Sequence, residues 1–132
     1  DFGEKRLGVA VGETMLKTAH ALKTIDSEVN DKRFAEIAAL LAEWHPKLLI
    51  VGLPTHMDGT GHRLTLLAKK FAQRLEGRFN IPFMMIDERL SSAEASTQLS
   101  SAGIKGREQK ALIDAVAAQV ILQSYFDSIQ TK

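Results

Sequence analysis

KALIDAVAAQVIL, residues 110–122, holds a single acid, Asp114, inside an otherwise strongly apolar helical run. A helix that is apolar over most of its surface has to be covered, and a sheet is the surface that covers it best. Ala117, Ala118 and Ile121, one turn ahead of Asp114, form the packing side, and the two small alanines permit close approach to the sheet. A buried carboxylate without a partner costs several kcal/mol, so the fold must give Asp114 one. A cap at the helix start, a salt bridge to Lys110 one turn earlier, or a bound cation would each serve. Spacing alone leaves these open.

Two other stretches deliver carboxylates next to apolar runs: DFGEKRLGVA at the start and IDERLSS in the middle. Asp1 would close one strand, and Asp87 with Glu88 would close another, where open α/β sheets bind ligands. Only one of two successive strand residues points inward, so Asp87 and Glu88 are alternatives. A solvated turn with Arg89 as surface partner is the plain alternative for that pair. Asp1 alone is weak, and draws its value from Gly3, Arg6 and Gly8 behind it. Carboxylates from separate elements converge most often to hold hard divalent cations through oxygen. Two such ions, about 3.5–4 Å apart, clamp the attacking and leaving oxygens of a phosphodiester. The pattern points to a metal-dependent nuclease.

The order of elements is compatible with this. Leu7–Gly12 reads as a strand after a turn at Gly3–Arg6, and Leu16–Ile25 as a second, antiparallel one. Phe34, Ile37, Ala38, Leu41 and Trp44 keep helical spacing over Lys32–Trp44, which Pro46 ends. Leu48–Leu53 is a short apolar run of the buried parallel type. Leu64, Leu67, Ala68, Phe71 and Leu75 form the stripe of a second helix, and Ile81–Ile86 is the next strand. Ser91 with Glu94 makes a capping box for a short helix that Gly103 would stop. Arg107–Phe126 closes the chain as the apolar helix. One α/β domain over residues 1–132 is expected, with hairpins leading into parallel strands in a mixed sheet flanked by helices. No repeat or linker divides it.

With 132 residues, 45% apolar and 25% charged, the chain is ordinary for a globular domain. A net charge of +1 means that contact with a polyanion must come from a local patch. Absence of cysteine excludes disulfides and Cys-ligated metal sites and fits a cytoplasmic location. No apolar run approaches the roughly 18 residues of a membrane span. The loop PTHMDGTGHR places Gly59, Thr60 and Gly61 near a helix N-terminus, where a phosphate oxygen could be held, although a tight turn explains the glycines as well. Asp58 is best read as a helix cap. His56 and His62 could shuttle protons, and their spacing does not fit zinc. Basic residues cluster at Arg63/Lys69/Lys70/Arg74 and at Lys105/Arg107/Lys110. The second cluster, flanked by glycine and just before Asp114, is the better grip for a phosphate backbone.

DFGEKRLGVAVG, VGLPTHMDGT, DERLSSAEA and KALIDAVAAQVILQSY together resemble the four signatures of the bacterial YqgF/RuvX family, over essentially the whole chain. The resemblance implies a ribonuclease H-like fold with a mixed five-stranded sheet, related to Holliday junction resolvases. It implies an acidic triad of Asp1, Glu88 (or Asp87) and Asp114 holding Mg²⁺ or Mn²⁺, with Arg6 and Arg89 in the same region. The activity implied is maturation of the 5′ end of pre-16S ribosomal RNA. The alternatives are a Holliday junction resolvase acting on branched DNA as a homodimer, and a nucleic-acid-binding module without catalysis. Thr55 and His56 replace the Leu-Asn common before Met-Asp-Gly-Thr in that family. The family pattern also has apolar residues ahead of Asp1, so most of a first strand is expected to be missing here.

Overall fold

Strands β1 (Arg6–Glu13) and β2 (Thr18–Asp26) pair antiparallel, from Arg6 opposite Asp26 to Glu13 opposite Thr18. Leu7 and Ile25 face each other in that register and are both buried, which fixes which side of the hairpin is the inside. The ladder shifts at Val9/Ala10, a bulge, and Lys17 turns the hairpin with φ of 53°. The computed structural model describes residues 1–53, 61–87 and 107–129 of the chain, and at 53, 61, 62, 87 and 107–112 the backbone alone.

Helix α1 (Asn30–Trp44) ends as its sequence demands. His45 is left-handed, with φ of 49°, its N–H reaches the Leu41 carbonyl at 2.9 Å, and Pro46 prevents another turn. Strand β3 (Leu49–Leu53) pairs parallel with β4 (Phe83–Asp87), Leu49 opposite Phe83 and Leu53 opposite Asp87. Helix α2 (Gly61–Phe79) connects them and buries Ala68, Phe71, Ala72 and Leu75, while Asn80 closes it with φ of 59°. Phe34 of α1 and Phe71 of α2 stack with centroids 5.3 Å apart, and Phe2 packs on Phe71 at 5.4 Å. Leu7, Ile25 and Val51 complete this core from the strands.

Helix α3 (Arg107–Ile129) packs on β1, β2 and β3 through Ala115, Ala117, Ala118 and Ile121. Glycines make the approach possible. A Cβ on Gly8 would collide with the backbone carbonyl of Asp114, and one on Gly52 with the side chain of Ile121. Gln119 and Gln123 bind the start of β2 to the helix. Gln123 Oε1 accepts from the Ala19 N–H at 3.0 Å, and its amide donates to the Lys17 carbonyl at 3.0 Å.

The α/β architecture expected is present, and of the five strands expected four are found among the described residues, in two two-stranded sheets, β1–β2 and β3–β4. Among these residues no strand joins the two sheets, and an apolar cavity of about 220 Å³ opens between β1 and β3, lined by Val9, Val11, Leu41, Leu49 and Ile121 with Asp1 at its edge. The predicted elements otherwise recur with ends moved by a few residues, the size of error that frayed termini produce. The short helix expected after Ser91 lies outside the described residues.

Candidate active site

Asp1 is held by its backbone. Its amino group donates to the Gly8 carbonyl at 2.9 Å and its carbonyl accepts from the Gly8 N–H at 3.0 Å. Both bonds of Gly8 therefore go to Asp1, on the edge of β1 turned away from β2. The next residue, Phe2, is buried in the aromatic core, so Asp1 is anchored on both sides. Burial pushes the α-amino group of Asp1 down to about 6, while the nearby Asp114 carboxylate acts in the opposite direction.

Asp114 reaches the same place from the other layer. Its backbone carbonyl lies against Gly8, the residue that pairs with Asp1. Arg6, at the start of β1, brings its Nε to 3.0 Å from Asp114 Oδ2. Oδ2 is buried and, among the described residues, accepts no hydrogen bond, so its pairing with Arg6 is a matter of charge proximity. A buried acceptor left so is costly unless something binds it. A buried carboxylate oxygen of this kind, on a residue packed against the segment that carries Asp1, has the chemistry of a hard-cation ligand, so these residues fit a divalent metal.

Asp87 ends β4, level with Leu53 at the carboxyl end of the parallel pair. Its side chain, and Glu88, Arg89 and Lys105 altogether, lie outside the described residues, as do the side chains of Arg107 and Lys110. The loop holding Thr55, His56, Asp58, Gly59 and Thr60 lies outside them too. Among the described residues no group of three His, Asp or Glu side chains converges. The structure therefore brings together Asp1, Arg6 and Asp114.

Arg33 was not singled out by its sequence. It is 2% exposed, near the start of α1, and its guanidinium donates to the Gly3 carbonyl at 2.7 Å and to the carbonyls of Glu4 and Ser27. Gly3 and Glu4 form the turn between Asp1 and Arg6, so Arg33 sets the shape of the segment that carries both. Burial lowers the Arg33 pKa, and Glu28 and Glu4 oppose the shift. The signal was present: Arg33 falls on the stripe of Ile37, Leu41 and Trp44, where a cation has to find acceptors.

A family model described as "RuvX: Holliday junction resolvase" matches residues 1–128. The chain belongs to the RuvX family. Among similar proteins, one from Methylobacillus flagellatus is 63% identical over 129 residues, covering 98% of this chain and 88% of the relative. One from Dechloromonas aromatica is 57% identical over 128 residues, covering 97% and 88%. One from Chromobacterium violaceum is 53% identical over 128 residues, covering 96% and 93%. All three carry the name "Putative pre-16S rRNA nuclease".

Proposed function

We propose that this RuvX-family chain is a nuclease that hydrolyses phosphodiesters with divalent metal ions and matures the 5′ end of pre-16S ribosomal RNA. The observation that carries the reading is the buried Oδ2 of Asp114 near Asp1, which among the described residues accepts no hydrogen bond, in a chain similar to relatives named for that substrate. Asp1, Asp114 and Glu88, or Asp87 in its place, would hold Mg²⁺ or Mn²⁺. Bound there, the ions supply Lewis-acid activation of water and stabilise the leaving 3′ oxygen. The chain's own residues do the rest. Gly8 and Phe2 hold Asp1 still, α3 presents Asp114, and Arg6 pairs with Asp114 while remaining exposed enough, at 38%, to meet a phosphate. Arg89, Lys105, Arg107 and Lys110 are the further contacts to the substrate backbone. No helix among the described residues is long and apolar enough to cross a membrane. Residues 1–132 act as one domain, and the site of action is the cytoplasm.

Asp114→Asn removes a metal ligand with little change of shape. It is expected to lower cleavage of precursor RNA by at least about a hundredfold, while RNA binding in EDTA stays within about twofold of wild type. Wild-type turnover in this variant would remove Asp114 from the site. The family description favours a second reading, resolution of four-way DNA junctions by a homodimer. Preference for matched four-way DNA over precursor RNA, each assayed with Mg²⁺ or Mn²⁺ and with EDTA, would select it.

A further inference from the structure

The positive charge of this protein is concentrated on one helix. Helix α2 carries Arg63, Lys69, Lys70, Arg74 and Arg78 against one acid, Glu76, a net of +4, whereas the whole chain is +1. The remaining residues are therefore net −3. At 3.6 residues per turn, Arg63, Lys70 and Arg74 fall within an arc of about 40°, roughly a third of a turn from the Ala68–Phe71–Ala72–Leu75 face. All three are exposed. Arg78 is set apart, since its guanidinium lies 4.4 Å from the centroid of the Phe34 ring.

The stripe is also attached to the candidate site. Arg63 Nη1 and Nη2 bind Glu4 Oε1 and Oε2 at 2.7 and 3.1 Å, a two-pronged pair that fastens the first turns of α2 to the segment between Asp1 and Arg6. From Arg63 to Arg74 the helix rises about 16 Å, nearly five steps of 3.4 Å along a nucleic-acid strand. Resting on the nuclease reading above, we infer that the Arg63–Lys70–Arg74 face of α2 is the track on which the RNA backbone leaves the carboxylate site. Charge complementarity selects the occupant: a net +4 helix on a chain that is otherwise net acidic attracts a polyanion, and the exposed cations of one narrow stripe suit a single phosphate backbone. The Arg63–Glu4 pair keeps the near end of the track in register with Asp1, and Lys70 and Arg74 take further phosphates beyond it.

The test is the double variant Lys70→Gln/Arg74→Gln against the control Lys32→Gln/Lys47→Gln, which removes the same charge from exposed positions outside α2. Glutamine is a good helix former, so both variants keep the fold. The probe is a labelled single-stranded RNA bound in EDTA over a salt series. Loss of two phosphate contacts lowers the salt slope by about 1.4 and weakens binding by about 25-fold at 0.1 M salt, while the control changes by less than about threefold. Equal losses in the two variants, or wild-type binding by the α2 variant, would overturn the inference. The nuclease reading fails separately: a wild-type protein that shows the α2-dependent binding but never cleaves with Mg²⁺ or Mn²⁺ upholds the track and removes the reaction.

Discussion

Single residues here act through the backbone as much as through their own chemistry. Arg33 is the clearest case, because one planar fork binds three carbonyls from two segments. Lysine keeps the charge but cannot reproduce the fork. Arg33→Lys is expected to cost about 2–3 kcal/mol, read as a lower urea midpoint with unchanged slope, because at least one buried carbonyl loses its donor. A midpoint equal to wild type would mean that water replaces the guanidinium without loss. The paired acids are decided by a different residue-scale rule. Because successive strand residues face opposite ways, the sequence makes Asp87 and Glu88 alternatives as the third acid of the proposed site. Glu88→Gln is expected to be the more damaging change in a cleavage assay. A dead Asp87→Asn beside an active Glu88→Gln would exchange the two assignments.

At the scale of elements, the fold depends on how closely α3 can lie on β1. Gly8 has no room for a Cβ, since the Asp114 carbonyl occupies that space, whereas a Cβ on Gly77, in α2, meets nothing within 4 Å. Gly8→Ala must push α3 and Asp114 away from Asp1, and is expected to cost about 2–3 kcal/mol and to lower cleavage as well. Gly77→Ala only replaces a poor helix residue, and is expected to add about 0.5–1 kcal/mol. Thermal unfolding of the two variants, run together, checks both signs. This contrast also explains what was legible beforehand. The 3.6-residue spacing of Phe34–Trp44 and Leu64–Leu75, and the short apolar runs of β3 and β4, report burial directly, so the helices and parallel strands could be read from residue order. Asp114 stood out for the same reason, as an acid where only apolar groups belong. Arg6 was placed in its region by the family resemblance alone and not by spacing, because it lies more than a hundred residues away in sequence and meets Asp114 only once α3 crosses β1. Arg33 was hidden by a similar cause: its acceptors are backbone carbonyls, which every residue has.

Among the described residues the molecule shows two small sheets held side by side by helices rather than by strand pairing. The edge of β1 that faces away from β2 is paired, among the described residues, at Gly8 alone, by Asp1, and the cavity of about 220 Å³ lies between that strand and β3. Apolar side chains line most of it, so an extended apolar segment is the occupant that would satisfy both the surface and the strand edges. Asp1 already sits in ladder register with β1, and residues placed ahead of it would run antiparallel to Val9 and Val11 into that space. Such a segment would also turn the buried amine of Asp1 into a peptide N–H within a paired strand. A polypeptide extended by about five apolar or alternating residues before Asp1 is therefore expected to melt at least about 5 °C higher than one beginning at Asp1, in the range that 1–2 kcal/mol produces. Tighter Mn²⁺ binding and faster RNA cleavage should accompany the change, because a ligand fixed within a paired strand is better placed than one at a strand end. Equal melting temperature, metal affinity and turnover in the two polypeptides would show that the cavity does not take a strand and that Asp1 gains nothing from one.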